Sequence, residues 1–405
     1  MTYVDAAEIR DHLKGQVVHV PARKRVQATP FVYREPANIP PRQMVYGRHF
    51  VRKFLSGTVA PGGVGKSAHA LVEAVAMASG RDLLGLRSRE PLRVWYWGGE
   101  DPMDEIERRL GAILLHYGVS AGELGDRLFI DSGRDCEIVI ATETRDGAVI
   151  AEPVLAELEE TIQANGIDVW VLDPFVSCHE VSENDNNKIG RIMRELSLLA
   201  DRTDSCGEVV HHVRKAGAGV TEVTVDDARG GKASSDRCRS VRTLNRMSAE
   251  EALEFNVDEE RMRSFFRIDI GKANLFPPPR SAVWRRLVDV NLGNGVDGLP
   301  DDHVGVVTRW EPPSLFHGLT NADVLKIQQE IDRAGDYREN SQANRWVGKA
   351  VTSVMGWDSR DASVKKRVGA MVKVWLRTHL LETFEGPDEK REVRTFVRVK
   401  KWIQP

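Results

Sequence analysis

Cysteine is scarce: Cys136, Cys178, Cys206 and Cys238 are the four in 405 residues, far apart and without a CxxC pair. That spacing excludes the usual zinc ribbon and a disulfide framework, and reads as four independent reduced thiols. No run of 18 apolar residues is present, so no bilayer-spanning helix and no membrane partner are expected. The first residues, MTYVDAAEIRDHLKG, carry acids and lack the apolar stretch of a secretion signal, which points to the cytoplasm. A dominant sign of charge is also missing. The 57 basic and 60 acidic residues leave a net −3, which excludes a uniformly basic nucleic-acid coat while leaving room for a local patch. What is there is an ordinary globular composition, 41% hydrophobic and 29% charged, in a chain long enough for two or three domains.

Three regions follow from the pattern. Residues 1–45 read as a leader, with a basic cluster at Arg23, Lys24 and Arg25 and a stiff connector, NIPPRQ, that two adjacent prolines keep out of a helix. Residues 46–310 have the rhythm of an α/β domain: FLSGTVA, LRVWYWGGE, IDVWVLD and GEVVHHV read as apolar strands, with helical segments between the first three and before the last. SVRTLNRM and SFFRIDIGKANL read as later, partly solvated strands. The expected architecture is α/β with a central, mostly parallel sheet, whose C-terminal strand ends form the ligand crevice. After WEPPSL, residues 316–405 read as three helices and a small basic hairpin, the outline of a winged helix-turn-helix-like domain.

The most specific motif is Ala60-Pro61-Gly62-Gly63-Val64-Gly65-Lys66-Ser67, a phosphate-binding loop with Ala60 where glycine is usual. Its glycines let successive backbone N–H groups turn inward around a phosphate. Lys66 reaches the outer phosphates of a nucleoside triphosphate, and Ser67 opens the following helix and offers a hydroxyl to magnesium. Asp173 ends IDVWVLD and can receive magnesium-bound water, whereas Asp168 begins that strand at the wrong edge. Glu100 ends LRVWYWGGE and is the candidate to accept the proton of an attacking water, with Asp101 expected to cap the next helix. His211 and His212 end GEVVHHV, and His212 is the better candidate to face the terminal phosphate. The Gly-containing basic stretch after Val213, with Arg214 and Lys215, suits the phosphates of single-stranded nucleic acid.

Together, IPPRQMVYG, APGGVGKSAHAL, GGEDPMDEIERRL, VWVLDPFVSCHEVSENDN, VVHHVRKAG and ARGGKASSDRCRSVRTLNR resemble, over roughly residues 38–250, the hexameric RepA-type branch of the RecA/DnaB-like ATPases. The resemblance implies a RecA-like P-loop NTPase core, ATP and magnesium as cofactors, and a homo-oligomeric ring of six with sites shared between subunits. It assigns Glu100 to water activation, Asp173 to magnesium and His212 to γ-phosphate sensing. By its pattern, Asp236 points to Arg239 as an arginine finger acting on the neighbour's nucleotide, with Arg242 in reserve.

Residues 360–405 hold 12 basic against 6 acidic side chains, which suggests a phosphate-binding surface in the terminal domain. Ser363-Val364-Lys365-Lys366-Arg367 reads as the start of a recognition helix, and Arg394, Arg398 and Lys400 as a basic wing; Trp346, Trp357 and Trp375 read as packing residues. Three functions stay open: a replicative DNA helicase or translocase, a recombinase-like or regulatory ATPase that assembles on DNA without unwinding it, and a slow nucleotide-switched DNA-binding regulator.

Overall fold

The computed structural model describes residues 27–144, 147–213, 222–227, 231–255, 257–277, 279, 281–313, 315–388 and 390–404. The chain divides into residues 1–42 and 43–405. Within the first unit, residues 27–42 are exposed, with one 3-10 turn at Pro36–Asn38.

The second unit opens with the hairpin β1 (Met44–Tyr46) and β2 (Phe50–Val51), then β3 (Leu55–Ala60), α1 (Lys66–Ser79), β4 (Val94–Gly98), α2 (Met103–Tyr117), the short α3 (Ala121–Leu124) and β5 (Leu128–Ser132). There follow β6 (Ala141–Thr144), β7 (Gly147–Ile150), α4 (Glu152–Ala164), β8 (Val169–Asp173), β9 (His179–Glu180), α5 (Asn186–Arg202) and β10 (Cys206–His212). Next come α6 (Gly231–Arg237), β11 (Ser240–Arg246), α7 (Ala249–Glu254), α8 (Glu259–Met262), β12 (Phe265–Ala273), β13 (Val283–Asn291) and β14 (His303–Arg309). The chain closes with α9 (Asn321–Ala334), α10 (Gly348–Met355), α11 (Ala362–Arg377), β15 (Leu381–Pro387) and β16 (Val393–Val399).

Nine strands form the main sheet in the order β14-β13-β12-β11-β3-β10-β8-β4-β5. From β11 to β5 all neighbours are parallel, and β12, β13 and β14 extend the sheet antiparallel. The strand carrying the phosphate loop, β3, is separated by β10 from β8, which ends at Asp173. A mostly parallel sheet with one strand between those two is the arrangement of a P-loop core. The strands β3, β4 and β8 are buried along their whole length because helices cover both faces. In β4 the side chains alternate: Tyr96 enters the core beneath α1 and α2, while Trp95 and Trp97 enter the core beneath α4 and α5.

The structure corrects several expectations. SVRTLNR is not partly solvated: as β11 it lies between β3 and β12, with six of its seven residues buried. The sheet's far edge strands, β5 and β14, and the small sheet β7-β6-β9 were not apparent from the apolar pattern. The last helix stops at Arg377, and the chain turns through His379 at φ 59° into β15, which opens the terminal hairpin at Leu381. The terminal segment has its own core, including Ile327, Trp346, Val351, Met371, Trp375 and Val397. Arg338 bridges Phe396 antiparallel and Val397 N–H donates to Tyr337 O (2.9 Å), which adds a third strand position beside the hairpin and completes a winged-helix arrangement.

Candidate nucleotide site

Every element that brings a residue to this site ends at the C-terminal edge of the parallel strands. β3 ends at Ala60, level with His212 at the end of β10, and Asp173 ends β8 level with Gly98 of β4. From Ala60 the chain turns through Pro61, Gly62, Gly63 and Val64 to Gly65, whose φ of 104° is comfortable only for glycine, and α1 begins at Lys66. Gly65 makes no side-chain cap, so the first-turn N–H groups of a 14-residue helix stay turned toward whatever sits above the loop. That is a cradle for an anion.

Lys66 Nζ lies 3.4 Å from both Ser67 Oγ and Asp173 Oδ1, so the three groups named from the sequence converge. Asp173 is 2% exposed, and its other oxygen accepts a 3.0 Å hydrogen bond from the Tyr96 hydroxyl. Burial, with the Asp173 charge beside it, pushes the Tyr96 phenol well above its ordinary pKa, so it remains a donor. Tyr96 is a site residue that sequence reasoning missed. Its signal was the polar tip in an otherwise apolar strand, one pleat from the strand's end.

Glu100 and His212 meet across the same edge, Oε1 to Nε2 at 3.7 Å. Glu100 is placed by a tight corner: Gly99 N–H donates to Asp173 O (2.8 Å), and Arg134 Nε donates to Glu100 O (3.1 Å). A Cβ on Gly99 would fall 2.6 Å from Ser177 Cβ and 2.7 Å from the Trp97 ring, which explains the Gly-Gly before Glu100. Asp101 does not cap α2 as expected. Pro102 is the N-cap without a side-chain bond, and Asp101 pairs with Arg109 at 2.7 Å, because the Arg109 guanidinium on the second turn reaches back over it. His211 faces the other way and is buried; burial lowers its pKa to about 4, so it stays neutral.

The two arginines proposed for a neighbour's site part company. Arg239 is exposed just before β11, and its N–H donates to Leu55 O at the start of β3 (2.9 Å), so it lies at the opposite edge of the sheet from its own Lys66. The six residues of β3 alone separate the edges by about 17–20 Å. Arg242 is 5% exposed and does not reach a surface: its guanidinium donates to Glu73 at 2.8 and 2.6 Å and to Thr58 Oγ1 at 2.7 Å. It is an internal strut, which removes it as the reserve finger. The basic loop with Arg214 and Lys215 lies outside the described residues.

The oxygen donors present fit magnesium, which takes few protein ligands and keeps phosphate and water in its shell. Ser67 Oγ and the Asp173 carboxylate flank one point, and among the described residues no group of three His, Cys, Asp or Glu side chains could hold a metal unaided.

In the terminal winged helix, Trp346 and Trp375 are buried core residues, and Trp357 stacks under Arg367. The expected basic surface is partly consumed. Arg367 donates to the carbonyls of Leu315 and His317, Arg394 pairs with Glu392 and Asp388, and Arg398 and Lys400 both pair with Glu382. Lys366, Lys373 and Arg377 of α11 are exposed.

Fold and site together define an α/β P-loop protein. In comparison with known proteins, a family model described as an AAA domain matches residues 22–218. The RadB recombinase structure is similar at 15% identity and a TM-score of 0.38, over 59% of this chain and 89% of that one. A DnaB-like replicative helicase, solved in a study of its interactions with primase, is similar at 15% identity and a TM-score of 0.41, over 58% of this chain and just over half (56%) of its own. No helix among the described residues is long and apolar enough to cross a membrane.

Proposed function

We propose that this protein hydrolyses ATP with magnesium as a RepA-like oligomeric motor on DNA, a helicase or translocase built from a leader (1–45), an ATPase domain (46–310) and a terminal winged helix (316–405). The observation that carries the reading is the convergence of Lys66, Ser67 and Asp173, with the Glu100–His212 pair on the same sheet edge. Lys66 and the N–H groups of residues 62–65 bind the outer phosphates. Ser67 and, through water, Asp173 hold magnesium, which neutralises charge on the transferring group. Glu100 takes the proton of the attacking water, and His212, 3.7 Å away, responds to the terminal phosphate.

An exposed Arg239 at the edge opposite the loop suits a finger entering the next subunit's site in a head-to-tail ring of six. A second reading, a regulatory ATPase that assembles on DNA without unwinding, is favoured by the internally paired wing charges. Strand displacement on forked DNA with ATP, alongside DNA-stimulated hydrolysis and a Lys66→Ala control, tests both. Hydrolysis with unwinding supports the motor, and stimulated hydrolysis without unwinding supports the second reading. No hydrolysis by the wild type rejects both.

A further inference from the structure

Arg246 is the last residue of β11, exposed at the same sheet edge as the phosphate loop but 184 positions from it in sequence. Its Nη2 donates to Gly62 O at 3.1 Å and to Gly63 O at 2.9 Å. A peptide unit is planar and trans, so its carbonyl and its N–H point in opposite directions. Holding the oxygens of residues 62 and 63 on the outside of the turn therefore aims the N–H groups of Gly63 and Val64 to its other side. Gly63 independently fits this contact: its φ is +68°, and a Cβ there would stand 3.2 Å from the same Nη2.

We infer that Arg246 is a positioning residue that shapes the phosphate loop in advance, gripping its outer carbonyls so that the inner N–H groups are set for a diphosphate. This rests on the nucleotide reading of the site. Arg246 acts on the loop and not on the phosphate, so donor geometry counts for more than charge. Two hydrogen bonds from a charged donor can account for roughly a tenfold change in affinity.

The test is binding of magnesium ADP to the full chain, with ATP kinetics and urea unfolding alongside, for Arg246→Ala, Arg246→Gln and Arg246→Lys. The expected result is roughly tenfold weaker ADP binding and a similar rise in KM for Arg246→Ala, with kcat changed less than about twofold and an unchanged urea midpoint. Arg246→Gln, which keeps an N–H donor without the charge, recovers most of the affinity. Wild-type affinity in Arg246→Ala overturns the inference and leaves the nucleotide reading standing. So does a series in which Arg246→Lys binds like wild type while Arg246→Gln is as weak as Arg246→Ala, since charge would then be the agent. A wild type that binds no ADP overturns the nucleotide reading and this inference with it.

Discussion

Replacing Arg242 by Met separates an internal strut from a residue acting on a neighbour. Arg242 and Glu73 are 5% and 2% exposed and joined by two hydrogen bonds of 2.6 and 2.8 Å, tying α1, the helix that follows the phosphate loop, to β11. Burial alone would raise the Glu73 pKa, but the guanidinium outweighs it and holds the carboxyl near 2. Arg242→Met leaves that carboxylate buried beside a neutral His69, and also withdraws a cation 3.7 Å from Glu208, which keeps His49 at 3.0 Å. Breaking such a pair costs about 3–5 kcal/mol. With an m-value near 3 kcal/mol per molar urea, the midpoint should fall by about 1–1.7 M at pH 7. In the wild type Glu73 stabilises the fold above its unfolded pKa of about 4.3, and that contribution is lost as pH falls toward 2. In the variant the unpaired carboxyl's pKa lies above the unfolded value, so the destabilisation should shrink between pH 7 and pH 5. Glu73→Leu with Arg242→Met should recover most of the loss. A single variant whose midpoint stays within about 0.3 M while ATP hydrolysis collapses would refute this account and make Arg242 a catalytic residue.

Tyr96→Phe removes the 3.0 Å donor to Asp173 and should lower kcat roughly tenfold with the fold intact; unchanged steady-state kinetics would show that Asp173 needs no such partner. Gly99→Ala forces a Cβ to within 2.6 Å of Ser177, so it should cost about 1–3 kcal/mol and displace Glu100, with a measurable fall in kcat. Burial lowers His69 to about 3 and His211 to about 4, so the unfolded chain, titrating near 6.5, binds their protons first. Stability should therefore fall as pH drops below about 6.5, by on the order of 1 kcal/mol per pH unit for each, down to about 4 for His211 and 3 for His69. His211→Phe should flatten that limb in urea titrations at pH 7, 5.5 and 4.5. If the winged helix binds DNA, charge reversal at exposed Lys373 and Arg377 should weaken binding and reduce its salt slope, while reversal at Arg398, already paired with Glu382, should change the slope less.

The legible part of this molecule is the part whose chemistry is local. The phosphate loop needs glycines, a lysine and a hydroxyl in consecutive positions, and those stand in a row from Gly62 to Ser67. Asp173 and Glu100 were legible because each ends or follows an apolar strand, and a sheet of parallel strands brings such ends to one edge. Their supports are long-range and left weaker marks: Tyr96 reaches Asp173 across 77 positions, and Arg246 reaches Gly62 across 184. Arg242 shows the failure most clearly. Beside Arg239 in sequence it looks like a second surface arginine, yet the strand pairing that buries it depends on β3 and β12, and its partner Glu73 is 169 positions away. A signal was present, since Glu73 is the single carboxylate in the apolar helix KSAHALVEAVAMAS, and such a charge in a covered helix needs a partner somewhere.

The same distinction governs the terminal domain. Counting 12 basic residues against 6 acidic measures composition, whereas a phosphate responds to the field at one surface. Arg394, Arg398 and Lys400 face carboxylates on their own hairpin, and Arg367 is held by two carbonyls of the segment that leads into the domain. Those contacts offset much of the wing's positive charge. What positive surface the domain offers then shifts from the wing and the first turn of the helix, where the sequence placed it, to the later turns of α11, where Lys373 and Arg377 stand exposed. Lys366, at the other end of that helix, points to Glu250 O of α7 at 3.5 Å, and α7 follows directly on the strand that ends at Arg246. If α11 is where DNA binds, a ligand on it would sit one short helix away from Arg246, the residue proposed to hold the phosphate loop.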